Sequence, residues 1–324
     1  MSCRPVPGDT PETEWKGIHP TDDLVQVLNP PCGWMQNCNV APRVMFSDSP
    51  LTPDKYKPYI YREEEAMGIK YGLHQRAAMT FQQLDQIQNA TVEDVFELAT
   101  SPQVYGVKPW QDRLRKAWQN VDETVKNDAN LKAFAEAILN WNVRAEKDST
   151  GILCYHSWKQ QQADIIKTYA RIGAPPPFYL TDEKIIETLK AGLKSMTDEY
   201  GSLNTKYGDV YRVGRRGGKT TAPAEGGSIN GIATPRALGF GRKNENGQHL
   251  MSGGQCSFQV VELTKPPKSW TAAPLGQSDD PQSPHFDDQA IKLVAHRKLK
   301  TTYFKDKDAL LKNLESKKVL TFNP

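Results

Sequence analysis

The sequence predicts an α+β fold, and three observations carry that prediction. Helical periodicity dominates from about residue 72 to residue 201. After Gly208 the composition shifts to frequent glycines with alternating β-branched residues. Ahead of the helices lies a short extended run boxed in by turn signals, within NPPCGWMQNCNVAP. Strand, then many helices, then strands is not the regular alternation that builds a parallel sheet.

The elements follow in order. Residues 1 to 28 read as irregular, punctuated by Pro5, Pro7, Gly8, Pro11 and Pro20, with Thr21 placed to cap a short helix over DDLVQVL. Cys32 to Asn39 reads as an extended strand, although it is rich in asparagine, a poor strand former. Two explanations suit these carboxamides: they cap turns, or one of them waits as a donor for an oxyanion. SDSPLTPDKYKPYIY is a proline-punctuated loop whose tyrosines pack back on the surface. In LHQRAAMTFQQLDQI, residues Leu73, Ala77, Phe81 and Leu84 share a helical face. TVEDVFELA starts a helix at an N-cap, Thr91, with Asp94 three residues on. PWQDRLRKAWQNV and LKAFAEAILNW continue the rhythm. The helix of DSTGILCYHSWKQQQADIIKTYARI ends at Gly173 and Pro175 to Pro177, and the one capped by Thr181 ends at Gly201. GDVYRVG and GSINGIAT read as strands. Cys256 to Leu263 is the clearest strand, with Val260 and Val261 expected to be buried on both faces. PLGQSDDPQSPHFDDQ reads as a structured loop, followed by two short helices around 287–298 and 306–316.

At 324 residues the chain is long enough for one large domain or about two ordinary ones. Its seven Trp and twelve Tyr supply bulk for a core, and a net charge of +3 implies neither a nucleic-acid nor a membrane partner. No apolar run approaches the roughly 20 residues that span a bilayer, and the first fifteen residues have no apolar h-region, so they do not read as a signal peptide. The five cysteines, at 3, 32, 38, 154 and 256, are scattered without a CxxC. They read as small hydrophobes rather than as a disulfide scaffold or a zinc site.

Among the motifs, RVGRRGGKTT ends like a phosphate loop. The spacing requires a glycine at position 213, which is Val213, and the residues that follow cannot form the helix such a loop needs. A basic, glycine-rich hairpin turn is the better reading, with Arg215, Arg216 and Lys219 solvated or touching an acidic partner. His285, beside Asp287 and Asp288, is either a catalytic or binding histidine or a hydrogen-bonding loop residue. Ser278 lacks the second glycine of a nucleophile elbow. Arg76 stands near a helix start, where a cation opposes the macrodipole; that misfit points to a carboxylate or carbonyl partner, or to an ordinary surface arginine.

GIHPTDDLVQVLNPPCGWMQNCNVAP resembles the penicillin amidase family of N-terminal-nucleophile acylases, through Asn29, Pro30, Gly33, Trp34, Met35, Asn39 and Pro42; its QNCN is closer to the lactone-acylase side of that family. The likeness continues through LHQRAAMTFQQLD, with Arg76 at the family's arginine. It continues through ILNWNVRAEKDSTGILCYHSW, at Trp141, Asp148, Ser149, Gly151 and Trp158, with Asn142 in place of the usual aspartate. It closes through GGQCSFQVVEL and GQSDDPQSPHFDDQ. These five motifs stand in the family's order from Trp15 to about Phe304.

The resemblance implies a partial αββα N-terminal-nucleophile hydrolase fold, with residues 72–201 as a helical insertion and residues 202–304 as returning strands of the sheet domain. It implies hydrolysis of acyl amides of the penicillin or acyl-homoserine-lactone type. Asn39 is then the oxyanion-hole donor, Arg76 orients the site near the nucleophile's amine, and Trp34 and His285 are candidate substrate contacts. The family's nucleophile lies upstream of such a segment, and SCRPVPGDT does not resemble the strand that carries it. The chain is therefore expected to be the C-terminal portion of a large subunit, inactive alone, with a missing N-terminal acylase portion as its partner. No cofactor is expected in this chain; calcium is possible in the complete family fold, where Asp48 falls near one ligand position. The resemblance also implies a periplasmic or secreted setting. Two rivals stand beside this reading: Ser2 or Cys3 as a new N-terminal nucleophile, and a non-catalytic fragment that binds an acyl ligand or a partner.

Overall fold

A computed structural model describes residues 7–14, 16–57, 74–163, 180–255 and 257–322. The expectations that rest on Ser2, Cys3, Leu73, Gly173, Pro175 to Pro177, Cys256 and the tyrosines at 59 and 61 lie outside these residues. The chain is α+β. It divides into two compact units, Met1–Gln88 and Asn89–Pro324.

Among the described residues of the first unit the long helix is α1 (Gln75–Gln86), and the segments before it hold only short 3-10 turns. The helix expected after Thr21 stops after a single 3-10 turn, Thr21–Asp23: no side chain caps it, and Leu24 is already extended. Two further 3-10 turns, Pro42–Val44 and Pro53–Lys55, each start on a proline, whose fixed φ suits a first helical position. Cys32 to Asn39 is not a strand. Gly33 (φ 77°) and Asn39 (φ 63°) both adopt left-handed backbone, and the carboxamides between them bond to nearby main chain instead of leaving it for a ladder.

The second unit opens with α2 (Val92–Ala99), which has the full capping box: Thr91 accepts from Asp94 N–H while Asp94 accepts from Thr91 N–H. Then come α3 (Lys108–Asn120), the short α4 (Glu123–Lys126), α5 (Ala129–Leu139), α6 (Gly151–Gln160) and α7 (Asp182–Tyr200). Asp128 caps α5, Thr181 caps α7, and Gly201 ends α7 at φ 74°. Helices α3, α5, α6 and α7 pack together around Trp158, Phe134, Leu114, Leu131, Ile138 and Ile185, none of which is exposed. The Trp158 ring meets Trp110 edge-to-face at 6.0 Å, and its Nε1 donates to Thr188 Oγ1 at 3.1 Å. Buried Gln111 donates to the carbonyls of Ile138 and Trp141, at 2.8 and 2.9 Å, satisfying the end of α5.

A helical turn, α8 (Tyr207–Val210), leads into β1 (Tyr211–Gly214), β2 (Thr221–Pro223), β3 (Ser228–Ile229), β4 (Ile232–Ala233), β5 (Leu238–Lys243) and β6 (His249–Gly254). Their order is β2-β1-β6-β5-β3-β4, with β1–β6 and β3–β5 parallel and the other pairs antiparallel. The glycine-rich basic segment is the turn of the β1–β2 hairpin, as its spacing required. A second sheet is antiparallel, in the order β7 (Phe258–Glu262), β8 (Lys268–Ala272), β9 (Lys300–Thr302). Val260 is buried there, but Val261 is 44% exposed, so this strand covers one face and not two. The closing helices are α9 (Asp288–Lys292), continued by a 3-10 turn, and α10 (Lys307–Lys312). Arg236, 2% exposed, donates from Nη1 to Glu225 O at 2.8 Å and from Nη2 to Val294 O; burial lowers its pKa to about 10.

Helices α6 and α7 touch backbone to backbone at Gly192. A Cβ added there would stand 2.8 Å from Trp158 Cα. Ala is the better helix former by about 1 kcal/mol. Gly192→Ala is nonetheless expected to destabilise the chain by about 1–3 kcal/mol, because overpacking outweighs propensity. A urea denaturation curve measures this, and a stabilised variant would contradict the close contact.

Candidate functional site

The site is built on the first unit, where the three carboxamides of QNCN do different work. Gln36, 6% exposed, donates from Nε2 to Val44 O at 3.1 Å and accepts from Cys38 N–H at 2.9 Å. Asn37 Oδ1 accepts from Asn39 N–H at 3.0 Å. Both close turns, which is the plain structural role. Asn39 does not. Its left-handed backbone is one that asparagine tolerates better than most residues. Its Oδ1 accepts from Arg76 Nη2 at 2.6 Å. Its amide NH2 has no acceptor among the described residues, and the residue is exposed.

Helix α1 supplies the clamp. His74 caps it, Nδ1 accepting from Ala77 N–H at 3.4 Å, which leaves Nε2 to donate to Cys38 O at 2.7 Å. Arg76 Nη2 donates to the same carbonyl at 2.9 Å. The cation in the first turn, unfavourable to the helix dipole, therefore has a carbonyl partner on the asparagine-bearing loop. Cys38 Sγ lies 3.7 Å from Thr80 Oγ1, and Trp34 meets Phe81 edge-to-face at 4.9 Å, so the loop seats on α1 on two sides. With its carbonyl oxygen held by a guanidinium, the Asn39 carboxamide has a fixed orientation: the NH2 points away from Arg76. A charge-assisted bond to Oδ1 also polarises the amide and strengthens the NH2 as a donor.

Of the sequence-predicted residues, Asn39 and Arg76 are brought into direct contact, and Trp34 lies on the same loop. His285 belongs to the second unit. Its ring nitrogens face Asp288 Oδ2 at 3.0 Å and Glu315 Oε2 at 2.8 Å, and these two carboxylates, Asp288 first, raise its pKa above the ordinary 6.5. Around it the GQSDDPQSPHFDDQ segment folds on itself. Gln277 N–H donates to His285 O at 2.9 Å, and Ala273 N–H donates to Gln289 Oε1 at 2.9 Å. Arg215, expected in a solvated turn, is instead anchored: its guanidinium stacks over Phe286 at 4.1 Å and donates to Ser278 O, Phe286 O and Asp279.

Sequence reasoning missed His74 and Gln36. Histidine is not a favoured cap, so nothing flagged His74. Gln36 stood inside the carboxamide run, but a run does not say which member is buried. Among the described residues no group of three or more His, Cys, Asp or Glu is placed to hold a metal ion.

An asparagine amide aimed by a guanidinium is the kind of donor that acyl-transfer enzymes set against a developing oxyanion. The family comparison agrees with this class: the model for penicillin amidase matches residues 2–309, and the chain belongs to that family. No helix among the described residues is long and apolar enough to cross a membrane.

Asn39→Gly is expected to keep stability within about 0.5 kcal/mol, since glycine accepts φ 63°, whereas Asn39→Ala costs about 1–2 kcal/mol in left-handed strain; denaturant midpoints of the two variants measure the difference. His285, with its folded pKa raised, contributes stability that is full below about pH 6.5 and is lost as pH rises through the folded value. In an NMR titration its ring signals should show a midpoint above the free-imidazole value, and Glu315→Gln should move that midpoint down.

Proposed function

We propose that this chain supplies the oxyanion donor of an acyl-amide hydrolase of the N-terminal-nucleophile type, acting with an acylase portion that carries the nucleophile. The observation that carries the reading is the bond from Arg76 to Asn39 Oδ1, which leaves the Asn39 NH2 as the outward-facing donor. Family membership supports the reaction class. Substrates of the penicillin or acyl-homoserine-lactone type are those the family resemblance implies, and the likeness of QNCN to the lactone-acylase side favours the second.

In the proposed cycle the partner's N-terminal serine Oγ attacks the amide carbonyl carbon, and its own α-amine takes the hydroxyl proton. Charge gathers on the carbonyl oxygen, where the Asn39 NH2 donates to it. Collapse of the tetrahedral species breaks the C–N bond, and the leaving amine takes the proton from the α-amine. Water then attacks the acyl ester and releases the carboxylic acid. Arg76 acts through Asn39 as a positioning residue. Trp34, seated on Phe81, is the aromatic surface we assign to the substrate's approach. For His285, whose ring nitrogens both face carboxylates, the loop role has better support than substrate contact.

The test compares turnover of phenylacetyl and long-chain acyl amides by the chain alone and by its complex with a Ser-headed acylase portion. The chain alone is expected to be inactive. In the complex, Asn39→Gly, which keeps the backbone, should lower kcat by roughly 10²–10³, and Arg76→Met should lower kcat with little change in KM. Full activity in Asn39→Gly would overturn the assignment.

A further inference from the structure

The second unit holds a cavity of about 940 Å³ between the β1–β2 turn, strands β5 and β6 and the segment after β8. That volume lies within the roughly 300–1,000 Å³ of small-molecule sites. Its floor is apolar, from Leu250, Pro274 and Leu275; Met251, the next residue of β6, turns its side chain to the opposite face, into the core. Its charged lining is of one sign: Arg215, Arg216, Arg242 and Lys243, with no carboxylate. Two of these cations are already committed. Arg215 is bound to Ser278 O, Phe286 O and Asp279, and Lys243 pairs with Glu199 at 2.8 Å. Arg216 and Arg242 are exposed and have no hydrogen-bond or ion-pair partner among the described residues.

An apolar floor under two uncommitted guanidiniums selects among ligands. A small anion would leave the floor wet. A neutral apolar molecule would gain nothing from the arginines. A nucleic acid would need a long basic stripe rather than two cations beside a pocket. We propose that this cavity binds a medium-chain carboxylate, its tail over Leu250, Pro274 and Leu275 and its head at Arg216 and Arg242, whose planar forks match a carboxylate. The inference uses no residue of the first unit and does not depend on the amide-hydrolase reading.

Calorimetric titration of the full chain with decanoate, decanol and acetate tests it. Decanoate is expected to bind saturably at one site, about 10-fold or more tighter than either decanol or acetate, a gap of about 1.4 kcal/mol. The double variant Arg216→Ala/Arg242→Ala should lose that advantage while its affinity for decanol stays unchanged. Gly253→Phe provides a second arm. Gly253 lines the cavity, and a Cβ built there meets nothing within 4 Å, so the ring enters open space and should abolish decanoate binding in a chain with an unaltered melting curve. Equal affinity for decanol and decanoate, undiminished decanoate binding in either variant, or no saturable binding at all would overturn the proposal.

Discussion

A primary carboxamide can donate in a chosen direction only if its oxygen end is held. In this chain that hold is one guanidinium. Arg76 bonds both the Asn39 side-chain oxygen and the Cys38 carbonyl beside it, and His74 takes the same carbonyl from the helix cap. The helix tolerates a cation in its first turn because the charge is passed to the loop. Left-handed backbone at Asn39, the Asx turn from Asn37 and the buried Gln36 then leave the loop little freedom. The site is therefore a property of a helix start and an irregular loop, not of a strand.

The motifs that mark the second unit do steric work. A Cβ at Gly151 would stand 2.6 Å from Trp141 Cβ, so the start of α6 can approach the end of α5 only with glycine there. Asp148 pairs with Lys206 at 2.9 Å, and Ser149 lends its carbonyl to Tyr207 N–H, which ties α6 to the turn that enters the sheet. Gly276 would meet the His285 carbonyl at 2.2 Å if it bore a side chain. In this unit these residues, which carry the family resemblance, serve packing.

Most helices were legible because each carried its own punctuation: Thr91 with Asp94, Thr181, and Gly201 all stand where the observed helices begin or end. The α+β class was legible from the shift in composition after Gly208. The Asn-rich loop was misread as a strand, since extended runs and loops with side-chain-to-backbone bonds share the same short, proline-bounded look. The outward face of Val261 was hidden because adjacent valines do not say which face a sheet covers. Arg76 was legible as a misfit, and Asn39 through its resemblance. The clamp between them was not, because the two residues are 37 positions apart and no local pattern encodes the contact.

The buried guanidinium of Arg236 sets a limit on how far the chain can be shortened. Its two main-chain acceptors, Glu225 and Val294, come from segments nearly seventy positions apart, and the second lies close to the last elements. A version cut ahead of Val294 would keep the cation in the interior and remove half of its solvation. The turn that carries that carbonyl therefore cannot be dispensed with.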